Sequence, residues 1–302
     1  MNVESLVAVA AEAWPSLARQ LLSPLNPSDR LYWLYLLGAA LGAFWVYARG
    51  RKRGTLPAGF VRFAVPKAMY LSRSSRFDFL YGFLVRALVF VVLAPLLLSE
   101  RGVADQIKAL LESSFGARAR GGEWTSAHLI GLSLANFIAM DFGLYAAHWL
   151  LHKVPALWEF HKLHHSAEVL TPVTVYRQHP VDDILSIAMS GALGGVVIGA
   201  AEYAHPHASM LYVAGALPIG FFLYYLFGYN LRHSHVWLSY GPRIERFLIS
   251  PAQHQVHHSA APEHIDKNLG FVFAWWDRLF GTLHVTQVDP GAPVRFGLSG
   301  EP

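Results

Sequence analysis

The sequence has no cysteine among its 302 residues. This absence excludes structural disulfides, cysteine-bound zinc, iron–sulfur clusters and thiol nucleophiles. Charged side chains are also scarce, because Asp, Glu, Lys and Arg make up only 15% of the chain, against about a quarter of an ordinary soluble domain. The 16 histidines are many for a chain of this length, and their distribution is the informative feature.

Apolar residues account for 54% of the chain, above the roughly 45–50% of soluble domains, and the mean hydropathy is +0.32. These values indicate a membrane protein. The formal net charge is +4. In a membrane protein we interpret this excess as loop charge that faces anionic lipid, and we expect no nucleic-acid partner.

The first thirty residues lack the basic start and the uniform apolar core of a cleavable signal peptide. Glu4, Glu12 and Arg19 instead lie among apolar positions, and Pro24 follows them. This pattern is typical of an amphipathic helix that ends near the proline. Residues 1–30 are therefore predicted to form an interfacial helix.

Five apolar segments follow, each long enough to cross a bilayer as a helix. They are Leu31–Ala48, Phe79–Leu98, Leu129–Leu151, Ile184–Ala201 and Met210–Gly228. Because only residues 202–209 connect the last two, these are predicted to form a helical hairpin. The predicted parts of the chain are thus the interfacial helix, transmembrane helices and their loops over 31–128, a histidine-rich catalytic domain with the hairpin over 129–285, and a tail over 286–302.

The loop between the first two predicted spans carries the strongest charge bias. Residues 49–77 contain eight Lys and Arg residues and no acid. By the positive-inside rule this loop is cytoplasmic. Counting spans onward places residues 152–183 and everything after 229 on the same side, and it predicts a multi-pass protein.

Histidines form three groups with short, regular spacings. The groups are His148-x-x-x-His152, His161-x-x-His164-His165 and His254-x-x-His257-His258. Residues three or four apart share one face of a helix, and the predicted topology brings all three groups to the cytoplasmic side. Neutral imidazole is a good ligand for iron and zinc, so these eight histidines are predicted to bind two metal ions. Histidines that merely face lipid headgroups would not explain two matching His-x-x-His-His groups.

Further motifs accompany these groups, and together they resemble the fatty acid hydroxylase / sterol desaturase superfamily of integral membrane di-iron enzymes. The matching pieces are Asp141-Phe-x-x-Tyr145-x-x-His148, Arg177-Gln-His179-Pro180-Val-Asp182, His233-Ser234, Asn268-x-Gly270 and Trp276-Asp277-Arg-Leu-Phe280-Gly281-Thr282. The resemblance covers roughly residues 79–285. The chain departs from it at Trp149, where many members have arginine.

The resemblance implies an all-α fold, namely a polytopic membrane helical bundle whose cytoplasmic helical cap holds a histidine-ligated di-metal site. The ligands that it implies are His148, His152, His161, His164, His165, His254, His257 and His258, with His233 as a ninth. Four further residues are candidates either to bind a metal or to hold a ligand by a hydrogen bond: His179, His235, Asp141 and Asp182. For Asp141 a simple helix–helix hydrogen bond remains an alternative.

The resemblance also implies an activity: a membrane-bound di-iron oxygenase that uses dioxygen to hydroxylate or desaturate a lipid. The substrate could be a sterol, a fatty acyl chain, a carotenoid or an ether lipid. Since the sequence has no iron–sulfur ligands and no glycine motif for flavin or nicotinamide, electrons are expected from an external ferredoxin, flavodoxin or cytochrome-type donor with its reductase. Zinc could replace iron in purified protein.

Two other classes of protein remain open on the residues alone. One is a zinc-dependent membrane hydrolase, although the sequence has no His-Glu-x-x-His motif and few carboxylates near the histidines. The other is a metal or lipid transporter, whose ligands should lie near the middle of the bilayer at broken helices.

Overall fold

The computed structural model describes residues 23–56, 59–92, 99–117, 122–215, 217–288 and 294–298. Within these ranges the chain is mainly helical. The α-helices are α1 (Trp33–Lys52), α2 (Phe60–Ala64), α3 (Lys67–Tyr70), α4 (Arg73–Val92), α5 (Glu100–Phe115), α6 (Ser126–Lys153), α7 (Pro155–His165), α8 (Pro180–Ala204), α9 (Ile219–Leu226), α10 (Pro251–His257) and α11 (Trp275–Leu279). Strands β1 (Tyr212–Val213) and β2 (Leu217–Pro218) pair in antiparallel orientation. Short 3-10 helices cover Ser23–Leu25, Pro172–Tyr176, Tyr229–Leu231, Ile244–Arg246 and Pro262–His264.

Helices α6 and α8 are the two helices of the described residues that are long and apolar enough to cross a membrane. With 28 and 25 residues they extend roughly 42 and 38 Å, more than the ~30 Å hydrocarbon core. They match the predicted spans Leu129–Leu151 and Ile184–Ala201. Helices α1 and α4 coincide with the first two predicted spans, but residues 93–98 of the second fall outside the described ranges.

Small residues allow α5, α6 and α8 to pack closely. A Cβ atom at Gly143 of α6 would lie 2.6 Å from the Cα of Ser190 in α8, and one at Gly199 would lie 2.5 Å from the Ala104 carbonyl oxygen of α5. The buried Asn136 side chain donates hydrogen bonds to Glu100 of α5 and to the Gly194 carbonyl of α8. The three helices therefore form one tightly packed unit.

The fifth predicted span, Met210–Gly228, is wrong as a single helix. The segment contains the β1–β2 pair and the eight-residue helix α9. An eight-residue helix is only about 12 Å long. Leu211 bonds Ser133 near the start of α6, whereas Tyr224 bonds the Ile249 carbonyl near the histidines, so the segment still returns along α6 to the histidine end.

Helix α5 lies between the second and third predicted spans, where the sequence predicts only a connecting loop. The Ser99 side chain caps its first turn by accepting a hydrogen bond from the Gly102 N–H. Glu100 supplies an acid in that turn, and Gly116 ends the helix with φ of +78°. These are ordinary start and stop signals.

The chain after residue 229 covers the end of α6. The buried Asp141 carboxylate of α6 accepts hydrogen bonds from the N–H groups of Val272 and Phe273 and from Trp276 Nε1. Beside these bonds lies an apolar cluster of Phe137, Phe221, Tyr224, Tyr229 and Val272. Most of the interfacial helix predicted over 1–30 lies outside the described residues, and the predicted division of the chain into parts stays a prediction.

Candidate metal centre

The nine histidines predicted as metal ligands lie in two compact groups. The first group is His148, His152, His161, His165 and His257. The second group is His164, His233, His254 and His258. Within each group one nitrogen of every ring lies within 4.8 Å of the others, so each group has the dimensions of a single metal site.

The first group is built by the meeting of α6, α7 and α10. His148 and His152 occupy one face of the last turns of α6. The chain turns at Val154, and Pro155 starts α7 at its first position, where proline is well tolerated. This turn directs His161 and His165, again four residues apart, towards the α6 pair.

The second group uses the neighbouring positions of the same helices. His164 precedes His165 on α7, and His258 follows His257 at the end of α10. His233 comes from the bend after the 3-10 helix Tyr229–Leu231. Its Nε2 atom lies 3.2 Å from Nε2 of His164 and 3.0 Å from Nε2 of both His254 and His258. The two groups therefore adjoin, because α7 and α10 contribute to both.

A turn over residues 266–269 orients three rings of the first group. His152 Nδ1–H donates to the Asp266 carboxylate over 3.1 Å, His257 Nδ1–H donates to the Lys267 carbonyl over 2.9 Å, and His148 Nδ1–H donates to the Leu269 carbonyl over 2.8 Å. Asp266 and Asn268 have left-handed backbone angles, with φ of +57° and +54°.

Two further rings are oriented from the start of α8 and the segment before it. His161 Nδ1–H donates to the buried Asp182 carboxylate over 3.2 Å. His164 Nδ1–H donates to the Arg177 carbonyl over 3.1 Å. The Arg177 side chain is itself buried and is held by Asp78 and Ser74. Asp182 thus contacts a ring that is predicted to bind metal.

These contacts leave the Nε2 lone pairs facing one another. A neutral ring that donates from Nδ1 carries its lone pair on Nε2. The Nε2 atoms of His152, His161, His165 and His257 are buried without a hydrogen-bond partner, which is costly unless something else satisfies them. Two nitrogens about 2.1 Å from one ion and at right angles are roughly 3.0 Å apart, which matches the spacing in the second group. The residues therefore fit metal ions in both groups.

Burial also keeps the imidazoles neutral, which is the form that binds metals. Loss of solvation lowers the pKa of His164 to about 3. The same cause lowers the pKa of His161, His233 and His257 well below the ordinary value for histidine.

Two of the four additional candidates lie outside both groups. His179 caps the start of α8, where its Nδ1 accepts a hydrogen bond from the Val181 N–H, and its ring packs against Phe160. His235 follows in the bent segment 232–235, and its Nε2–H donates to the Phe63 carbonyl. Neither ring contacts a histidine of the two groups.

Asp141 also differs from the expectation, since it contacts no histidine. Its carboxylate accepts hydrogen bonds from the loop that precedes α11. It therefore bonds neither a predicted ligand nor a neighbouring span. Sequence reasoning missed Asp266 and the carbonyls of Lys267 and Leu269. The only available signal was Asn268-x-Gly270, which marked the turn without revealing what it contacts.

A cavity of about 390 Å³ reaches the first group from the surface. Its lining includes His152, His165 and His257 of the first group, and also Lys153 and Asp266. The centre is therefore accessible from the end of α6 where the histidines lie.

Comparison with known proteins places this centre in a family. A family model of fatty acid hydroxylases matches residues 133–282. The chain is 32% identical to the ornithine lipid hydroxylase OlsE of Rhizobium tropici over 185 residues, covering 59% of this chain and 48% of that protein. It is 30% identical to the human alkylglycerol monooxygenase over 146 residues, covering 48% of this chain and 29% of that protein.

A sterol desaturase is also similar. The Delta(7)-sterol 5(6)-desaturase ERG3B of Gibberella zeae is 29% identical over 153 residues, or 50% of this chain and 41% of that protein. The chain thus spans less than half the length of these curated relatives. No solved structure matches it. The matched region contains all nine histidines of the two groups, and the chain belongs to the fatty acid hydroxylase / sterol desaturase superfamily.

Proposed function

We propose that this chain is a membrane-bound di-iron oxygenase that hydroxylates or desaturates a lipid. The first group of histidines would bind one iron ion and the second group the other. The observation that carries the proposal is the convergence of nine imidazoles in two compact groups, with four buried Nε2 atoms in the first group that have no hydrogen-bond partner. When bound, the iron ions supply the activation of dioxygen that oxidation of an unactivated C–H bond requires.

The protein's own residues would fix the geometry of this centre. Asp182, Asp266 and the carbonyls of Arg177, Lys267 and Leu269 hold Nδ1–H groups, so each ring presents Nε2 in one direction. Partners of this kind orient ligands and raise their basicity. The apolar surroundings of α6 and α8 would limit access of water to the reacting carbon.

The lipid class follows from the relatives rather than from the site. The similar proteins are named as hydroxylase, monooxygenase and desaturase, and their names point to ornithine lipids, alkylglycerols and sterols. Acyl chains and ether lipids enter a bilayer enzyme from the hydrocarbon region. A substrate of this class would approach between the spans and meet the centre at the end of α6.

The membrane arrangement is part of the proposal. We infer a multi-pass protein with the histidine centre on the cytoplasmic side, because the basic residues 49–77 and the end of α6 belong to that side under the positive-inside rule. The 390 Å³ cavity would then open to the cytoplasm. An external ferredoxin, flavodoxin or cytochrome-type donor with its reductase would deliver electrons there.

The ligand set also bears on the alternatives. Imidazole alone does not select iron over zinc, so zinc could replace iron in the purified protein. The metal content and the oxygenase activity must therefore be measured on the same sample. His148 and His152 lie in the last turns of α6 rather than at its middle, where a transporter site is expected.

The test combines lipid analysis with isotopically labelled dioxygen. Host cells would produce either the intact protein or the His161→Ala variant, and both proteins would be checked for membrane insertion and bound iron. We expect a lipid that gains one labelled oxygen, for a hydroxylase, or loses two hydrogens without label, for a desaturase. His161→Ala should abolish the product.

The matched control is His207→Ala. His207 lies beyond the opposite end of α8, where its backbone N–H donates to His205 Nδ1 and its ring packs against the His205 ring, so its loss should leave product formation unchanged. Identical lipid profiles for the intact and His161→Ala proteins, in hosts supplied with all three lipid classes, would count against an oxygenase.

A further inference from the structure

A second cavity, of about 490 Å³, lies at the C-terminal end of α1. Trp45, Arg49 and Arg53 line one side of it, and Phe63, His235 and Trp237 line the other. This cavity shares no lining residue with the one that reaches the histidine centre. Its volume is in the range of small-molecule sites.

The cavity carries basic side chains. Two guanidinium groups line it, and none of the described lining residues is acidic. The Arg49 guanidinium lies over the Trp45 ring, 5.4 Å from its centre, a contact that holds the charge in place. The end of α1 offers carbonyl oxygens rather than N–H groups, so an anion would have to be recognised by the arginine side chains.

Two indoles make the cavity suited to an amphipathic ligand. Trp45 is half exposed, and Trp237 Nε1–H donates to the Gln287 carbonyl over 3.0 Å, which fixes the ring. Tryptophan is typical of the boundary between lipid and water, where the headgroup of a lipid lies. The arginines and indoles together match a charged headgroup that continues into a chain.

The cavity adjoins the second histidine group through one short segment. His233 contributes Nε2 to that group, whereas His235 and Trp237, two and four residues later, line the cavity. A ligand in this cavity would therefore contact the segment that positions His233.

We propose that this cavity binds the phosphate group of an anionic lipid. Guanidinium groups bond phosphate oxygens through paired N–H donors, and Arg49 and Arg53 both line the cavity. Anionic lipids are abundant in the cytoplasmic leaflet, to which residues 49–77 are assigned. The proposal concerns binding only and does not depend on oxygenase activity.

The test measures binding of short-chain phosphatidic acid to the full chain in detergent by native mass spectrometry. Diacylglycerol with the same chains lacks the phosphate and serves as the reference ligand. Arg49→Gln and Arg53→Gln should each weaken binding of phosphatidic acid about tenfold, since each removes a charge-assisted contact. Lys52→Gln is the matched control, because Lys52 lies between them, is exposed and does not line the cavity.

Competition by inorganic phosphate identifies the source of the recognised group. If inorganic phosphate displaces the bound phosphatidic acid, the site recognises free phosphate as well. If only a lipid displaces it, the acyl chains contribute to binding. Both outcomes support the site. Equal weakening by Lys52→Gln, or equal binding of diacylglycerol, would overturn the proposal and leave a general surface charge. Unchanged circular dichroism and bound-metal content would show that the variants are folded.

Discussion

Asp266 holds two partners with its two carboxylate oxygens. One oxygen accepts from His152 Nδ1–H and the other pairs with Lys153 Nζ. The residue can do so because its backbone is left-handed, a conformation that Asp and Asn tolerate better than most residues. A carboxylate on a ligating ring fixes the ring's orientation and raises its basicity, so Asp266 is inferred to be a positioning residue for the first group.

We therefore expect Asp266→Ala to weaken metal binding by the first group about 10–100-fold. Asp266→Asn should weaken it less, because asparagine keeps an acceptor oxygen and the left-handed backbone. Metal titration of the chelator-stripped protein measures the effect. Glu263→Ala, an exposed acid three residues earlier, is the control. Unchanged metal affinity in Asp266→Ala would contradict the assigned role.

The histidines and their partners differ in how far the sequence could reveal them. Residues such as His148 and His152 lie on one helix, so their spacing alone predicts a shared face. Asp266 and the carbonyl of Leu269 contact these rings across more than a hundred residues of chain. Backbone carbonyls have no residue type, so no sequence pattern indicates them. His235 lies two residues after His233 but bonds the Phe63 carbonyl instead of the second group, and its spacing in the sequence does not reveal this contact.

At the scale of elements, long apolar helices were predictable and irregular ones were not. Helices α6 and α8 follow their apolar segments closely. The segment 210–228 has the same composition but folds as a strand pair and a short helix, because Ala214 and Gly215 adopt positive φ and reverse the chain. Hydropathy reports burial from water, and it does not distinguish a straight helix from a folded segment packed on α6.

The contact between α6 and α8 depends on the missing side chain of Gly143. A Cβ atom there would meet the Ser190 backbone at 2.6 Å, so Gly143→Ala should push the helices apart and destabilise the protein by about 1–3 kcal/mol. Thermal unfolding of the metal-loaded protein in detergent measures this change.

The matched variant on the same helix is Gly131→Ala. A Cβ atom at Gly131 meets nothing within 4 Å, so alanine there should be neutral or stabilising by up to about 1 kcal/mol through helix propensity. Equal effects of the two substitutions would show that helix propensity, and not the α6–α8 contact, sets the response at Gly143.

At the scale of the whole molecule, the length of α6 separates the histidine centre from the opposite end of the protein. The histidine centre lies at one end of this helix, and the Thr125–His128 capping contacts lie at the other. The helix, with its 28 residues, is longer than the hydrocarbon core is thick. If α6 spans the membrane, then α7 and the end of α5 face opposite compartments.

The absence of cysteine makes this arrangement directly testable. Single cysteines would be introduced as Glu159→Cys on α7, Arg51→Cys near the end of α1 and Ser114→Cys near the end of α5, all at exposed positions. In sealed membrane vesicles of known orientation, a membrane-impermeant maleimide should label positions 51 and 159 from the cytoplasmic side. It should label position 114 only from the opposite side. Labelling of positions 114 and 159 from the same side would mean that α6 does not cross the membrane. A reversed labelling pattern would place the histidine centre outside and remove the cytoplasmic route for electrons.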